Sequence, residues 1–306
     1  MKQYQAKISW KKIKQHWQFY LILLLPILYV LVFHYVPMWG IIIAFKRYTP
    51  SSGIAKSPWV GLLYFEQFFK SPSSLKIIWN TLILSIYSII AGFPIPIMLA
   101  IALNEVRMVR FKKIVQMVTY APYFISTVVM VGLMFQLTDP RIGIVNQIIQ
   151  LLGGKPVNFM GEPGLFRHMY VWSGIWQSAG YSSVIYLAAL SGINVELQEA
   201  AIIDGASRVK RIWYVDLPCI KSTIMVLLIL NLGYAMNVGF EKVYLMQNSL
   251  NVSRAEIIST YVYKVGLVTA NFSFATAIGL FNSIVNLVLL IISNYVVKRL
   301  FDTSLW

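Results

Sequence analysis

Polar side chains recur at helical spacing within three long apolar segments in the second half of the chain. Their amide and hydroxyl groups could bind a hydroxyl-rich solute, and neighbouring aromatic rings could stack on sugar rings. The same groups could instead join one membrane helix to another through hydrogen bonds. Both interpretations stay open for the candidate residues of a substrate pathway. These are Trp172, Trp176, Gln177, Asn231, Tyr234, Asn237, Asn282 and Asn286.

A second group of functional side chains lies in the charged segment ELQEAAIIDGASRVKRIWYVDLP, Glu196–Pro218, between two apolar runs. Asn194 can cap a helix, Glu196 suits the positive end of that helix, and Gly205 permits a left-handed turn. A second, basic helical piece follows, and Pro218 is predicted to end it. The segment therefore predicts a helix–turn–helix on the membrane face, with charges and a small apolar surface that another protein could bind.

The remaining side chains of catalytic or metal-binding type are too dispersed to form a recognisable active site. Cys219 is the only cysteine, which excludes an intrachain disulfide and a cysteine-rich metal site. The histidines His16, His34 and His168 are far apart in the sequence. The GGKP stretch at Gly153–Pro156 lacks the spacing of a phosphate-binding loop. We therefore expect no enzymatic activity, no metal site and no bound cofactor in this chain.

These groups belong to a chain that is much more apolar than a soluble domain. Hydrophobic residues make up 58% and charged residues 12% of its 306 residues, whereas about 25% charged residues is usual. Since a membrane helix needs about 20 apolar residues, we predict an all-α polytopic membrane protein with six transmembrane helices. The six segments without Asp, Glu, Lys or Arg are Gln15–Phe45, Ile77–Asn104, Ile114–Thr138, His168–Val195, Ser222–Phe240 and Val265–Val297.

Basic residues predict that both termini are cytoplasmic. Lys and Arg are dense in the N-terminal arm 1–14, after the second span, in the charged loop 194–218 and at the end of the last span. Cytoplasmic segments are enriched in these residues, and the net charge of +15 then reflects topology and contact with anionic lipid. We expect no nucleic-acid partner, and we interpret residues 1–306 as a single transmembrane domain.

The first outer loop is predicted to span residues 38–76, because the first helix should close near Pro37. Leu62, Phe65 and Phe69 recur there at helical spacing, which predicts an interfacial helix on the outer leaflet. A packed loop that contributes aromatic rings to the membrane boundary is the alternative.

The charged segment resembles the EAA loop of the permease subunits of ABC importers. That loop has Glu-Ala-Ala, three residues, Gly, nine residues, an aliphatic residue, any residue and Leu-Pro. The stretches NTLILS at Asn80–Ser85 and APYF at Ala121–Phe124 also resemble maltose-type first permeases, in the subgroup for complex oligosaccharides such as alginate or pectin fragments. The aliphatic position, commonly Ile, is Val here. The residues that match the loop are Glu199, Ala200, Ala201, Asp204, Gly205, Ala206, Val215, Leu217 and Pro218.

The resemblance implies a type I ABC importer permease fold and a coupling role for the charged loop. Glu199 and Asp204 would be polar anchors in a groove of a cytoplasmic ATPase subunit. Ala200, Ala201 and Gly205 would allow the close approach of that subunit. The implied partners are a second homologous permease, two ABC ATPase subunits that carry ATP and Mg²⁺, an extracytoplasmic sugar-binding protein, an oligosaccharide and membrane lipid. The implied location is the bacterial cell membrane.

Two classes of transporter remain as alternatives to an oligosaccharide importer. A secondary sugar carrier would need internal repeats and ionisable coupling groups within the membrane, and Glu241 and Lys242 are the candidates for such groups. An ABC permease for a non-sugar solute, such as a peptide or phosphate, is the nearer alternative. An aromatic and amide-lined pathway favours a neutral sugar, whereas a phosphate pathway would favour cations.

Overall fold

The computed structural model describes residues 14–301, without the side chains of residues 300 and 301, so most of the predicted arm 1–14 lies outside the described residues. Within that range the chain is helical, without a strand beyond one isolated bridge between Lys46 and Trp59. The helices of six or more residues are α1 (Trp17–Phe45), α2 (Leu63–Lys70), α3 (Ser74–Gly92), α4 (Pro94–Glu105), α5 (Val109–Phe124), α6 (Thr127–Thr138), α7 (Ile144–Leu151), α8 (Pro163–Ser191), α9 (Val195–Ile203), α10 (Arg208–Gly233), α11 (Phe240–Met246), α12 (Ile258–Tyr263) and α13 (Phe272–Phe301).

Helix length and apolarity confirm a membrane protein of the all-α class. Four of the described helical stretches are long and apolar enough to cross a bilayer: α1, the pair α3–α4, α10 and α13. The pair α5 and α6 meets the same criterion together, with a 99° bend between the two helices. Helix α8, which contains most of the predicted fourth span, has 29 residues but is more polar. At about 1.5 Å per residue it is also long enough to cross a bilayer.

Two predicted helix ends are wrong, and both fall at prolines. Helix α1 continues past Pro37 to Phe45, and α10 continues through Pro218. In each case a π-helical turn directly precedes the α-helical segment that contains the proline. The two turns are Leu31–Tyr35 and Ile212–Asp216. The proline thereby occupies the first turn of a new α-helical segment, where its missing N–H and fixed φ are tolerated. Proline marks a change of helical pitch at these positions rather than an end.

Helix α8 lies at the centre of the bundle and packs against α3, α4, α5 and α10. Its buried face includes Phe166, Val171 and Tyr186. The crossing with α5 is especially close, because a Cβ built on Gly180 would overlap the carbonyl oxygen of Thr119. Small residues permit such backbone approach between membrane helices. Glycine at position 180 is therefore required by packing rather than by backbone conformation.

Side-chain amides hold two connecting loops against the bundle. The buried Asn80 of α3 accepts a 2.8 Å hydrogen bond from Arg167 of α8 and donates to the carbonyls of Ser253 and Glu256 at 3.2 and 3.1 Å. Asn146 of α7 likewise binds loop carbonyl groups through its amide nitrogen. Buried carbonyls need such partners where regular structure does not supply them. These loops are consequently folded as part of the domain.

The helix predicted in the first outer loop is α2, and its buried side chains are Tyr64 and Phe68. Phe68 packs against aromatic rings of α13, among them Phe274 and Phe281. Leu62 and Phe69, which were predicted to belong to the apolar face, are 60% and 50% exposed, respectively. The position of this exposed apolar surface on the outer leaflet stays a prediction.

The α5–α8 contact gives a stability prediction. We expect Gly180→Ala to destabilise the chain by about 1–3 kcal/mol, because its methyl group overlaps backbone that cannot move independently. The measurement is the apparent Tm of the purified protein in detergent. Gly279→Ala in α13 is the matched control, because a Cβ there meets no heavy atom within 4 Å. Equal Tm values for the two variants would contradict the packing argument.

Candidate functional site

The charged loop folds as two helices joined at Gly205. The side chain of Asn194 accepts the N–H of Glu196 at 3.0 Å, which confirms the predicted cap of α9. Gly205 has a φ of 71°, which confirms the left-handed turn. The N–H of Ala206 then donates to the carbonyl of Ala201 at 2.9 Å and closes the turn. The EAA-like residues are therefore presented on a short rigid helix instead of an open loop.

The loop exposes both charged and apolar side chains. Glu199, Ala200, Asp204, Gly205 and Pro218 are exposed, and Ala201 and Ala206 are half-buried. Large apolar residues that the sequence analysis did not select lie beside them. Exposed among these are Ile202, Ile203, Val209, Trp213 and Tyr214, with Ile203 85% exposed. These exposed apolar side chains alternate along the sequence with charged ones, a composition typical of a protein-binding surface.

A polar network, which we call the loop clamp, ties α9 to α10 and α4. It consists of Gln198, Asp216, Arg211 and Glu105. The side-chain nitrogen Nε2 of Gln198 donates to the carboxylate of Asp216 at 2.5 Å. The guanidinium of Arg211 donates to the side-chain oxygen Oε1 of Gln198 at 3.2 Å. Arg211 also lies 3.8 Å from the Glu105 carboxylate at the end of α4. Asp216 is 1% exposed, whereas the side chains of Arg211 and Glu105 are 14% and 25% exposed, so the clamp is buried at Asp216 and partly accessible at its ion pair.

A cavity of about 850 Å³ lies between α3–α4, α8, α10 and α11. Two of the predicted pathway residues, Gln177 and Asn231, line it. Gln177 donates to the carbonyl of Ile125 at 2.8 Å, at the bend between α5 and α6. Tyr123 and Tyr181 stack beside it with ring centroids 4.0 Å apart. The lining thus combines aromatic faces with hydrogen-bonding groups, as small-molecule sites commonly do.

The predicted tryptophans lie on another face of α8. Trp172 and Trp176 are more than half exposed and are not part of the cavity lining. The Trp172 indole donates to the Tyr87 hydroxyl at 3.0 Å, and that hydroxyl is 2.8 Å from Nδ1 of His168. Tyr87, His168 and Trp172 thus form a separate aromatic cluster between α3 and α8.

The predicted asparagines of α10 and α13 mainly join segments of the chain. Helix α10 ends at Gly233, so Tyr234 and Asn237 lie beyond it. The prediction that Asn231, Tyr234 and Asn237 share helical spacing along one helix is therefore wrong. The side-chain oxygen Oδ1 of Asn237 accepts from the side-chain amides of Asn282 and Asn286 at 3.2 Å each, and Oδ1 of Asn286 accepts the backbone N–H of Met236 at 2.9 Å. Asn286 thereby satisfies one backbone N–H at the break, and the other two bonds join the side chain of Asn237 to α13. Tyr234, at the same break, is exposed and outside the cavity lining.

Several lining residues were missed in the sequence analysis. On α8 they follow a helical period, at Tyr170, Gly174, Ser178 and Tyr181, and this period could have separated the cavity face from the tryptophan face. Lys242 was considered as a coupling charge and also lines the cavity. The loop clamp was harder to recognise in the sequence than the cavity face of α8. Its only indication was a single carboxylate, Asp216, among apolar residues.

Comparison with known proteins gives consistent results. Protein LplB of Bacillus subtilis (strain 168) is 43% identical over 95% of this chain and 92% of its own length. The polygalacturonan/rhamnogalacturonan transport system permease protein YteP of the same strain is 43% identical over 96% of this chain and 92% of its own length. A chain in the crystal structure of a bacterial alginate ABC transporter, in complex with alginate pentasaccharide-bound periplasmic protein, superposes with a TM-score of 0.90 and 40% identity, covering 98% of this chain and 100% of that chain.

Residues 92–302 match the model of one transport family, and the matched region contains the charged loop, the cavity-lining helix α8 and the broken segment after α10. This match covers more than half of the chain. The chain therefore belongs to the family of binding-protein-dependent transport system inner membrane components.

Proposed function

We propose that the chain is the permease subunit of an ATP-driven importer that moves an oligosaccharide across the bacterial cell membrane. The observation that carries this proposal is the exposed charged and apolar loop surface, which the clamp fixes to helices that border the cavity. An extracytoplasmic solute-binding protein would deliver the sugar to the outer face. The names of the relatives, which refer to polygalacturonan, rhamnogalacturonan and alginate, support an oligosaccharide as cargo.

The proposed topology has six spans, with both termini and the charged loop in the cytoplasm. The four long apolar helices and the bent pair α5–α6 supply five of these spans. Helix α8 supplies the sixth. Its polar residues do not oppose this placement, because many of them face the cavity or neighbouring helices instead of lipid.

The charged loop would transmit the ATPase movement to the membrane helices. Glu199 and Asp204 would bind polar groups of an ABC ATPase subunit, and Ile202 and Ile203 would fill its apolar groove. ATP and Mg²⁺ would bind to the ATPase subunits, not to this chain. A second, homologous permease and a second ATPase subunit would complete the importer, in contact with membrane lipid.

The assembly is tested by purification of a tagged chain from its native membrane. We expect a second permease and an ATPase to be recovered with it, and a sugar-loaded binding protein to stimulate ATP hydrolysis. A chain that is recovered alone and moves sugar with a proton or sodium gradient would refute the proposal.

Glu199 tests the docking surface. We expect Glu199→Ala to lower the amount of co-purified ATPase subunit about tenfold, which corresponds to a loss of about 1.4 kcal/mol of binding free energy. Quantitative immunoblotting of the purified complex measures it. Glu66→Ala is the matched control, because Glu66 is an exposed glutamate of the outer helix α2. A comparable loss in both variants would argue against a specific role of the loop.

Gln198 tests transmission separately from docking. Because Gln198 bridges Arg211 and Asp216 beneath the exposed surface, we expect Gln198→Ala to retain the ATPase subunit within about twofold of wild type. Binding-protein-stimulated transport should fall about tenfold or more, since truncation leaves a buried carboxylate without its donor. Transport per ATP hydrolysed in proteoliposomes is the measurement. An unchanged ratio would mean that the clamp is not part of the coupling.

A further inference from the structure

One cation faces the cavity. Lys242 of α11 is 8% exposed, and its side chain contributes to the cavity lining. The described lining residues are otherwise aromatic, aliphatic, hydroxyl or amide side chains, so Lys242 is the one charged group among them. A buried ammonium in an apolar bundle is expensive unless a counter-ion or several hydrogen bonds compensate it.

Within the chain that compensation is incomplete. The Nζ of Lys242 donates to the carbonyl of Tyr170 at 2.9 Å and lies 4.8 Å from the centroid of the Tyr170 ring. None of the ion pairs formed among residues 14–301 includes Lys242. An ammonium has three donors, and one carbonyl uses one of them. The two remaining N–H groups can serve an anion in the cavity.

The surroundings of Lys242 are built to hold the ammonium at this position. Gly174 provides the space, because a Cβ at that position would lie 3.2 Å from Nζ. Tyr170 contacts α11 at two places. Its backbone carbonyl binds Lys242, and its hydroxyl accepts the N–H of Gly239 at 3.2 Å, next to the start of α11. The lysine is therefore fixed by backbone and aromatic contacts that leave its charge unpaired.

The remaining lining indicates which anion would fit. Tyr123, Gln177, Ser178 and Asn231 supply neutral donors and acceptors of the kind that bind sugar hydroxyl groups. A phosphate dianion would favour several cations or an arginine fork, whereas a single lysine suits a carboxylate monoanion. A cargo that combines hydroxyl groups with carboxylates matches both parts of the lining.

We propose that Lys242 is the carboxylate-binding residue of the translocation cavity and makes this cavity select acidic oligosaccharides over neutral ones. This inference rests on the proposed importer function and adds the residue that recognises a charged cargo. During passage, the two remaining N–H groups of the ammonium would bind a sugar carboxylate in place of water. The tyrosine rings and amides would hold the neutral parts of the sugar.

The test uses pairs of probes that differ in charge alone. The assembled importer in proteoliposomes is supplied with its binding protein, loaded with tetrasaccharides of polygalacturonan or alginate, or with their methyl esters. Loading of each probe is checked by titration so that the permease is compared at equal saturation. We expect wild type to import an acid form at least tenfold faster than its ester.

Lys242→Met should remove that preference, because methionine keeps the volume and loses the charge. Uptake of the acid should fall about tenfold, uptake of the ester should change less than twofold, and Lys242→Arg should restore most of the acid uptake. Gly174→Ala keeps the charge but crowds Nζ, so it should lower acid uptake by a smaller factor. Lys70→Met is the matched control, since Lys70 is an exposed lysine of α2.

The outcomes separate this inference from the importer function. If wild type imports acid and ester equally, prefers the ester, or retains its acid preference in Lys242→Met, the carboxylate site is refuted while the importer stands. If no loaded binding protein stimulates ATP hydrolysis or uptake, the importer function fails, and the proposed site fails with it.

Discussion

A buried carboxylate connects the charged loop of this chain to its membrane helices. Asp216 is almost inaccessible to solvent and is held by Gln198 of α9. A buried charge that loses a hydrogen-bond partner costs several kcal/mol, so α9 cannot shift without either moving the start of α10 or breaking this contact. Helix α10 continues from there to Asn231, which lines the cavity. One continuous helix therefore links the charged loop to the cavity.

The far end of α10 shows how the same chain makes a cavity inside an apolar bundle. After Gly233 the backbone leaves the helix, the side chain of Asn286 accepts the backbone N–H of Met236, and Asn282 and Asn286 both hold the side chain of Asn237. Non-helical backbone at membrane depth is tolerated where protein groups satisfy it. The break then allows α11 to place Lys242 against α8. The amide cluster thus shapes the cavity indirectly, by stabilising the break that positions the lysine.

The parts of the structure that could be predicted are those with local causes. Long uncharged runs indicate membrane helices, and Asn194 and Gly205 determine the start and turn of the charged loop through their own backbone contacts. The distribution of polar groups could not be predicted in the same way, because apolar helices carry almost no pattern that separates the face toward a cavity from one toward another helix. Gln177 and Asn231 reach the cavity, whereas Asn237 joins segments and Trp172 belongs to another cluster. Proline was also ambiguous, since a preceding π-helical turn accommodates Pro218 without ending the helix. Membership of the family favours an importer over a secondary carrier.

The most direct test of coupling through the charged loop is site-specific photocrosslinking from Ile203, whose side chain is 85% exposed at the end of α9. We expect a crosslink from this position to an ABC ATPase subunit in native membranes, and a change in its yield when ATP and a sugar-loaded binding protein are added. A probe at Leu62, which is exposed and expected on the opposite side of the membrane, should give no ATPase crosslink. Absence of an ATPase crosslink from Ile203, in a complex that still transports, would show that the charged loop does not contact the ATPase.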